Sequence, residues 1–340
     1  MQLTEVHKEA IQYFKLGKIK EAIVCFENSI NDKVNNELVY ESLGICYMKI
    51  GDYKKSLTNF NKVINLNNKN ERSINSILEL LNFIKPKNFK ENFILNTNEK
   101  ILSLNQRLSG TVPNELIIKN IFRDAVNYVN KHFGEINNNQ TQIFRRKNQK
   151  LDCDRHFKIF NKFKIIPEFC FGCYKVQITV ENFIELVKTY FLFNQNFIQK
   201  SNLRKCMIEK RPNIEGNYKA FIYFNNPQDS KDSIEILEKK IFENSIKVKK
   251  IQIKHGCSEF SDEYPNFNKI NFSGKQLFNY NNDWKKYEKV IDKENSIINQ
   301  KNNLYVGTTL NLLTLSDFFI IKNWAKYAKS LGDNSYKQIL

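Results

Sequence analysis

The chain has no run of eighteen apolar residues anywhere in its 340. A helix needs about twenty to cross a bilayer, so no membrane span is expected. The first ten residues carry His7, Lys8 and Glu9 and no apolar stretch, so no secretory leader is read there. Together these absences point to the cytoplasm, where thiols stay reduced. Histidine is scarce, four in all, which leaves few side chains for acid–base chemistry near neutral pH. No Gly-rich phosphate loop, no G-x-S-x-G elbow and no H-E-x-x-H pair occurs, which excludes the enzyme classes built on those motifs. Acidic residues are in deficit, 36 against 53 Lys and Arg, for a net charge of +17. That excess fits a polyanionic partner, nucleic acid or an anionic membrane surface. It fits equally well a compositional bias towards Lys, Asn and Ile that scatters Lys over any surface.

Apolar residues at 41% and charged residues at 26% describe a globular, soluble chain with room for two or three domains. Its clearest internal order is a repeat. Residues 3–36 and 37–70 align without a gap at a spacing of 34. Ala10 matches Gly44, Tyr13 matches Tyr47, Gly17 matches Gly51 and Phe26 matches Phe60; Ile19, Ala22, Ile23 and Ile30 match Tyr53, Ser56, Leu57 and Ile64. Small residues at Ala10/Gly44 and Ala22/Ser56 let two helices approach closely. The aromatic pairs fill the space between them, and Gly17 and Gly51 end the first helix in a left-handed turn.

A 34-residue period with these residue types resembles the tetratricopeptide repeat. The second copy keeps Tyr40, Leu43, Gly44, Tyr47, Gly51, Tyr53, Phe60 and Leu66. The first departs at Glu9, and both lack the closing proline, with Val34 and Asn68 in its place. A further helix with Ile74, Ile77, Leu78, Leu81 and Ile84 on one face, ended at Lys85-Pro86, suits the cap of such an array. The resemblance implies paired helices over residues 1–85 whose concave face holds a protein or peptide. It also implies that the Lys/Asn clamp some members use on a terminal carboxylate is absent, because His7, Ile11, Glu41 and Ile45 stand at those positions.

Residues 86–150 read as a linker with one helix, 114–133, begun by Pro113 and stopped by Gly134. A weaker short helix includes Leu102, Leu104 and Leu108, and 135–150 is an exposed basic loop. From 151 to 257 the elements alternate. Strands are predicted around Val176–Val180, Arg204–Arg211, Tyr218–Phe224 and Ile246–Lys254, the last with a bulge between Val248 and Ile251. Helices fill Glu181–Phe193 and the stretch from Pro227 to Asn244. This is the ferredoxin-like βαββαβ plan with sheet order 4-1-3-2, so the fold class is α+β. Residues 258–340 form a helical extension: a helix from Asp283 to Ile297, a polar linker Asn299–Asn303, and a last helix capped by Thr314 or Ser316 and stopped at Gly332.

Cys153-x2-His156 is followed by Cys170-x2-Cys173, and later by His255-Gly256-Cys257. Two short pairs separated by a modest loop are how a tetrahedral zinc site is assembled. In the 4-1-3-2 sheet the start of strand one adjoins the end of strand four, which brings these groups to one corner. Cys170 and Cys173 rank first as ligands, Cys153 next, and His156 or Cys257 fourth. An iron–sulfur cluster is the alternative occupant, and reduced, half-buried thiols with no ligand are the plain alternative. Cys206 falls in a strand, and Cys25 and Cys46 on repeat helices, as packing residues.

Three functional classes follow. The first is an adaptor or scaffold, with helical repeats for a partner and a zinc-stabilised α+β domain. The second is a nucleic-acid-binding factor that uses the basic sheet. Against it, the third strand carries Phe221 and Tyr223, but Lys219 stands where the first stacking aromatic of an RNA-recognition motif belongs. The third is a metal- or thiol-dependent enzyme, with His156 beside Asp152, Asp154 and Arg155 as its best acid–base candidate.

Overall fold

Leucine, isoleucine and aromatic residues at helical spacing open the chain. In the computed structural model they form five helices: α1 Glu5–Lys15, α2 Ile19–Ser29, α3 Asn36–Lys49, α4 Tyr53–Leu66 and α5 Glu71–Leu80. The structure describes residues 5–30, 36–84, 92–105, 108, 111–133, 136, 138–145, 151–198, 202–298 and 312–339. Val34, the Lys85-Pro86 turn, Gly134 and the linker Asn299–Asn303 lie outside the described residues.

The two copies fold alike. Gly17 and Gly51 take φ of 75° and 77°, the left-handed region that costs glycine little. α2 and α4 begin 34 residues apart. Phe26 and Phe60 are buried against the small residues opposite them; a Cβ at Gly44 would stand 2.7 Å from the Phe60 ring. Ser56 Oγ donates to the Gly44 carbonyl at 2.8 Å, which locks that approach. Asn70 caps α5, and its apolar face does not end the array. Ile74, Ile77, Leu78 and Leu81 join a core that includes α6 Phe93–Leu104 and α12 Leu315–Ser330.

Asn92 accepts from the N–H groups of Ile94 and Leu95, so α6 is a full helix where the sequence pointed to a short one. α7 Glu115–Asn130 follows, capped by Asn114. The segment expected to be an exposed loop, 135–150, instead holds strand β1 Gln142–Arg145, with Ile143 and Arg145 buried. The reason is a polar network that closes only in three dimensions. The Arg145 guanidinium bonds both oxygens of Asp317, reaches the Tyr190 hydroxyl at 2.9 Å and Asn194 Oδ1 at 2.7 Å; Tyr190 in turn donates to Asp317 at 3.0 Å. Burial opposes the charge on Arg145, but Asp317 and Tyr190 outweigh it and hold its pKa above the ordinary value.

The remaining elements are α8 Cys153–Phe163, β2 Tyr174–Val180, α9 Phe183–Phe193, β3 Arg204–Ile208, β4 Tyr218–Phe224, α10 Pro227–Glu243, β5 Val248–His255 and α11 Lys285–Ile298, before α12. The fold is α+β: a helical array at the amino end and a five-stranded antiparallel sheet in the order β1-β3-β4-β2-β5. The four predicted strands are present, joined by β1 at the edge beside β3. The pairing of β2 with β5 shifts register at Thr179/Val180, which gives β5 its extra residue between Val248 and Ile251. Alternate residues Val176, Ile178, Ala220 and Ile222 face α9 and α10 in the main core. Thr314 caps α12 through a capping box with Asp317, and Gly332 ends it at φ 75°. Among the described residues no helix is long and apolar enough to cross a membrane.

Candidate functional site

Two places gather the residues singled out by sequence. The first is the amino-terminal array. α1, α2 and α3 build a core of their own from Ala10, Ile23, Phe26, Val39, Leu43 and Tyr47, while α4 and α5 belong to the main core. Of the positions that face the groove in such arrays, Ile11 and Ile45 are half-buried and His7 is buried. Glu41 forms an ion pair with Arg72 at 2.8 Å, and Asn70 bridges Glu37 and Glu41 at 2.9 and 3.2 Å. Glu41 is thus committed to partners within the array.

The second place is a small pocket at one corner of the sheet. Cys153 and His156 come from the first turn of α8, Cys170 and Cys173 from the 3-10 turn Glu168–Gly172 and its exit, and Cys257 from the residue after Gly256 beyond β5. All five line one pocket, together with Leu151, Phe157, Phe169 and Phe260. Register accounts for half of this. Tyr174 pairs with His255, and the Gly256 N–H donates to the Cys173 carbonyl at 2.8 Å, which sets Cys257 beside Cys173. Gly256 sits at φ +59°, and a Cβ there would stand 2.3 Å from the Phe267 ring.

α8 supplies the rest. The sequence read Cys153-x2-His156 as part of a ligand spacing and gave no helix; the structure begins one there, after Asp152 in the left-handed region at φ 46°. Glu288 of α11 is its brace. It bonds Arg155 at 2.9 Å, accepts the Glu168 N–H at 2.8 Å and accepts the Tyr280 hydroxyl at 2.8 Å, so one carboxylate pins α8 and the Cys170 turn together. Nothing in the local sequence marks Glu288 for this role.

The predicted groups are not equivalent. His255 does not face the pocket's thiols as a ligand would. Its two ring nitrogens lie 3.1 and 3.0 Å from the carbonyls of Phe267 and Phe171, which ties β5 to the Cys170–Cys173 turn. His156 stacks on Phe169 with centroids 5.0 Å apart, and burial followed by the Arg155 charge pushes its pKa down to about 4. It is therefore neutral at physiological pH. Burial pushes the Cys173 thiol up to about 12 and raises those of Cys170 and Cys257, so all three are protonated thiols. Among the described residues no group of three or more His, Cys, Asp or Glu side chains stands ready-made as a metal site. Every cysteine is free. Cys206 and Cys46 are buried in packing positions, and Cys25 is half-buried on α2.

The face of the sheet turned away from the main core carries Lys175, Lys205, Phe221 and Tyr223. The Lys205 and Lys175 ammonium groups lie 5.0 and 5.7 Å from the centre of the Phe221 ring. Phe221 and Tyr223 are 7% and 8% exposed, packed with Leu203, Met207, Phe144, Leu151 and Cys173. Neither offers a ring face on which a base could stack.

Residues 39–70 match the family model of the tetratricopeptide repeat. That segment is a tetratricopeptide repeat. It covers α4 and most of α3, the better-kept of the two copies, and its repeat helices enclose the Gly44–Phe60 contact. No curated protein and no solved structure matches the chain.

Proposed function

We propose that this protein is an adaptor that holds a protein or peptide partner in its amino-terminal repeat array and presents it on an α+β body. The observation that carries this is the repeat match at residues 39–70, extended by the like-folded copy formed by α1 and α2. Repeats of this kind stack to leave a concave face, and their exposed residues serve binding. In this reading residues 1–85 form the binding module, 86–150 connect it, 151–257 form a ferredoxin-like βαββαβ unit with β1 added at its edge, and 258–340 buttress that unit. The free thiols fit work in a reducing, cytoplasmic setting.

Photo-crosslinking on the full chain tests the groove. A photoreactive residue at Ile11 is expected to trap a defined protein, and the same residue at the exposed Ile236 of α10 is expected not to. Equal capture from both positions, or none from Ile11, defeats the reading.

A further inference from the structure

Four thiols, drawn from the tip of α8, a 3-10 turn and the end of β5, line one small pocket. The adaptor role makes no use of them. We infer that Cys153, Cys170, Cys173 and Cys257 bind a single zinc ion.

Each backbone position is held independently of any metal. The Cys173 N–H donates to the Cys170 carbonyl at 3.3 Å, which folds Cys170-Phe171-Gly172-Cys173 into a short loop. His255 fastens the middle of that loop through the Phe171 carbonyl, and Gly256 fastens its end to Cys257. Arg155, through Glu288, fixes the first turn of α8. What remains free is the sulfur, which swings on one torsion between staggered wells. Among the described residues the four sulfurs are not already gathered on a point. A zinc ion displaces their protons, one from each thiol to solvent, and draws four thiolates into a tetrahedron.

Size and charge narrow the occupant. The pocket that the thiols line is small and suits a single ion better than a cluster. Four thiolates around Zn²⁺ leave a net charge of about −2. Lys175 and Lys205 flank Phe221, which packs in the same cluster as Cys173, and their ammonium groups offset that charge. Both nitrogens of His255 face carbonyls, which removes it as a donor. His156 lines the pocket and is the competing donor that the His156→Gln variant tests.

The test uses the full chain, purified without chelator and assayed for metal. One zinc per chain is expected; no zinc after reconstitution, or iron in its place, overturns the inference. Cobalt substitution then reports the donors. Four thiolates give intense sulfur-to-cobalt charge transfer with tetrahedral ligand-field bands, and a spectrum without charge transfer overturns the assignment. Cys153 is at the solvent edge, so Cys153→Ser should stay folded. It is expected to lower zinc affinity by at least about tenfold in chelator competition, whereas His156→Gln changes it by no more than about twofold. Unchanged affinity in Cys153→Ser, or a His156→Gln loss as large as the cysteine's, overturns the ligand set. Zinc uptake and partner capture are separate readouts, so either can fail without the other.

Discussion

The outer helices of the array and the α+β body are held together by different means. α1–α3 enclose a small core in which shape does nearly everything: alanine on one helix, as at Ala10, and an aromatic ring on the next, as at Phe26. The body adds buried polar ties to its apolar core, and these join residues far apart in the chain: Arg145 with Asp317, Trp324 Nε1 with the Thr141 carbonyl at 2.8 Å, and Tyr327 with the Glu209 carbonyl at 2.6 Å. A core set by shape repeats with the sequence period. A core set by long-range polar pairs does not.

The largest effect is expected where the body's network is cut. Asp317→Ala leaves the Arg145 guanidinium buried without its carboxylate, and breaking one side of such a pair costs about 3–5 kcal/mol. Denaturant unfolding should register that loss. A double replacement, Arg145→Met with Asp317→Leu, should recover much of it, because the uncompensated charge is gone. If the single and double variants lose equally, packing and not charge holds β1.

A smaller effect is expected from shape in the array. Gly44→Ala puts a methyl group 2.7 Å from the Phe60 ring, and overpacking of this kind costs about 1–3 kcal/mol. Circular dichroism melts of the full chain should show it, and Phe60→Leu in the same chain should relieve part of it. A neutral Gly44→Ala would mean that α3 and α4 separate easily.

The smallest tests how much a polar tie adds to the α1–α3 core. Tyr47 donates to Glu27 at 2.6 Å across the two copies. Tyr47→Phe should cost about 1 kcal/mol, read as a shift in the denaturation midpoint. A loss as large as that of Asp317→Ala would erase the contrast between the two regions.

This contrast also governs what the sequence made legible. Gly17 and Gly51, Phe26 and Phe60, each pair 34 apart, announce the repeat because the same left-handed turn and the same buried ring recur. The strands of the sheet were readable from alternation, as in Val176, Ile178 and Val180. β1 was not: Gln142–Arg145 is four residues long with an arginine on its inward side, and that arginine is acceptable there only because Asp317 waits 172 residues later. α8 escaped notice because Asp152 enters it from a left-handed conformation that non-glycine residues rarely adopt. At the pocket, spacing gave the cysteines, and sheet order brought Cys173 to Cys257. It also brought His255 too readily, since alternation says which strand end a histidine occupies and not which carbonyls its ring will meet. Glu288, which braces the pocket from α11, carried no local signal at all.

α3 is apolar on two sides. Val39, Leu43, Cys46 and Tyr47 belong to the amino-terminal core, while Ile45 and Met48 press on the main one. A helix seated in two cores is a rocker: it cannot tilt towards one without unloading the other. The Asn82–Ser316 bond at 3.1 Å then stitches the turn after α5 to the start of α12.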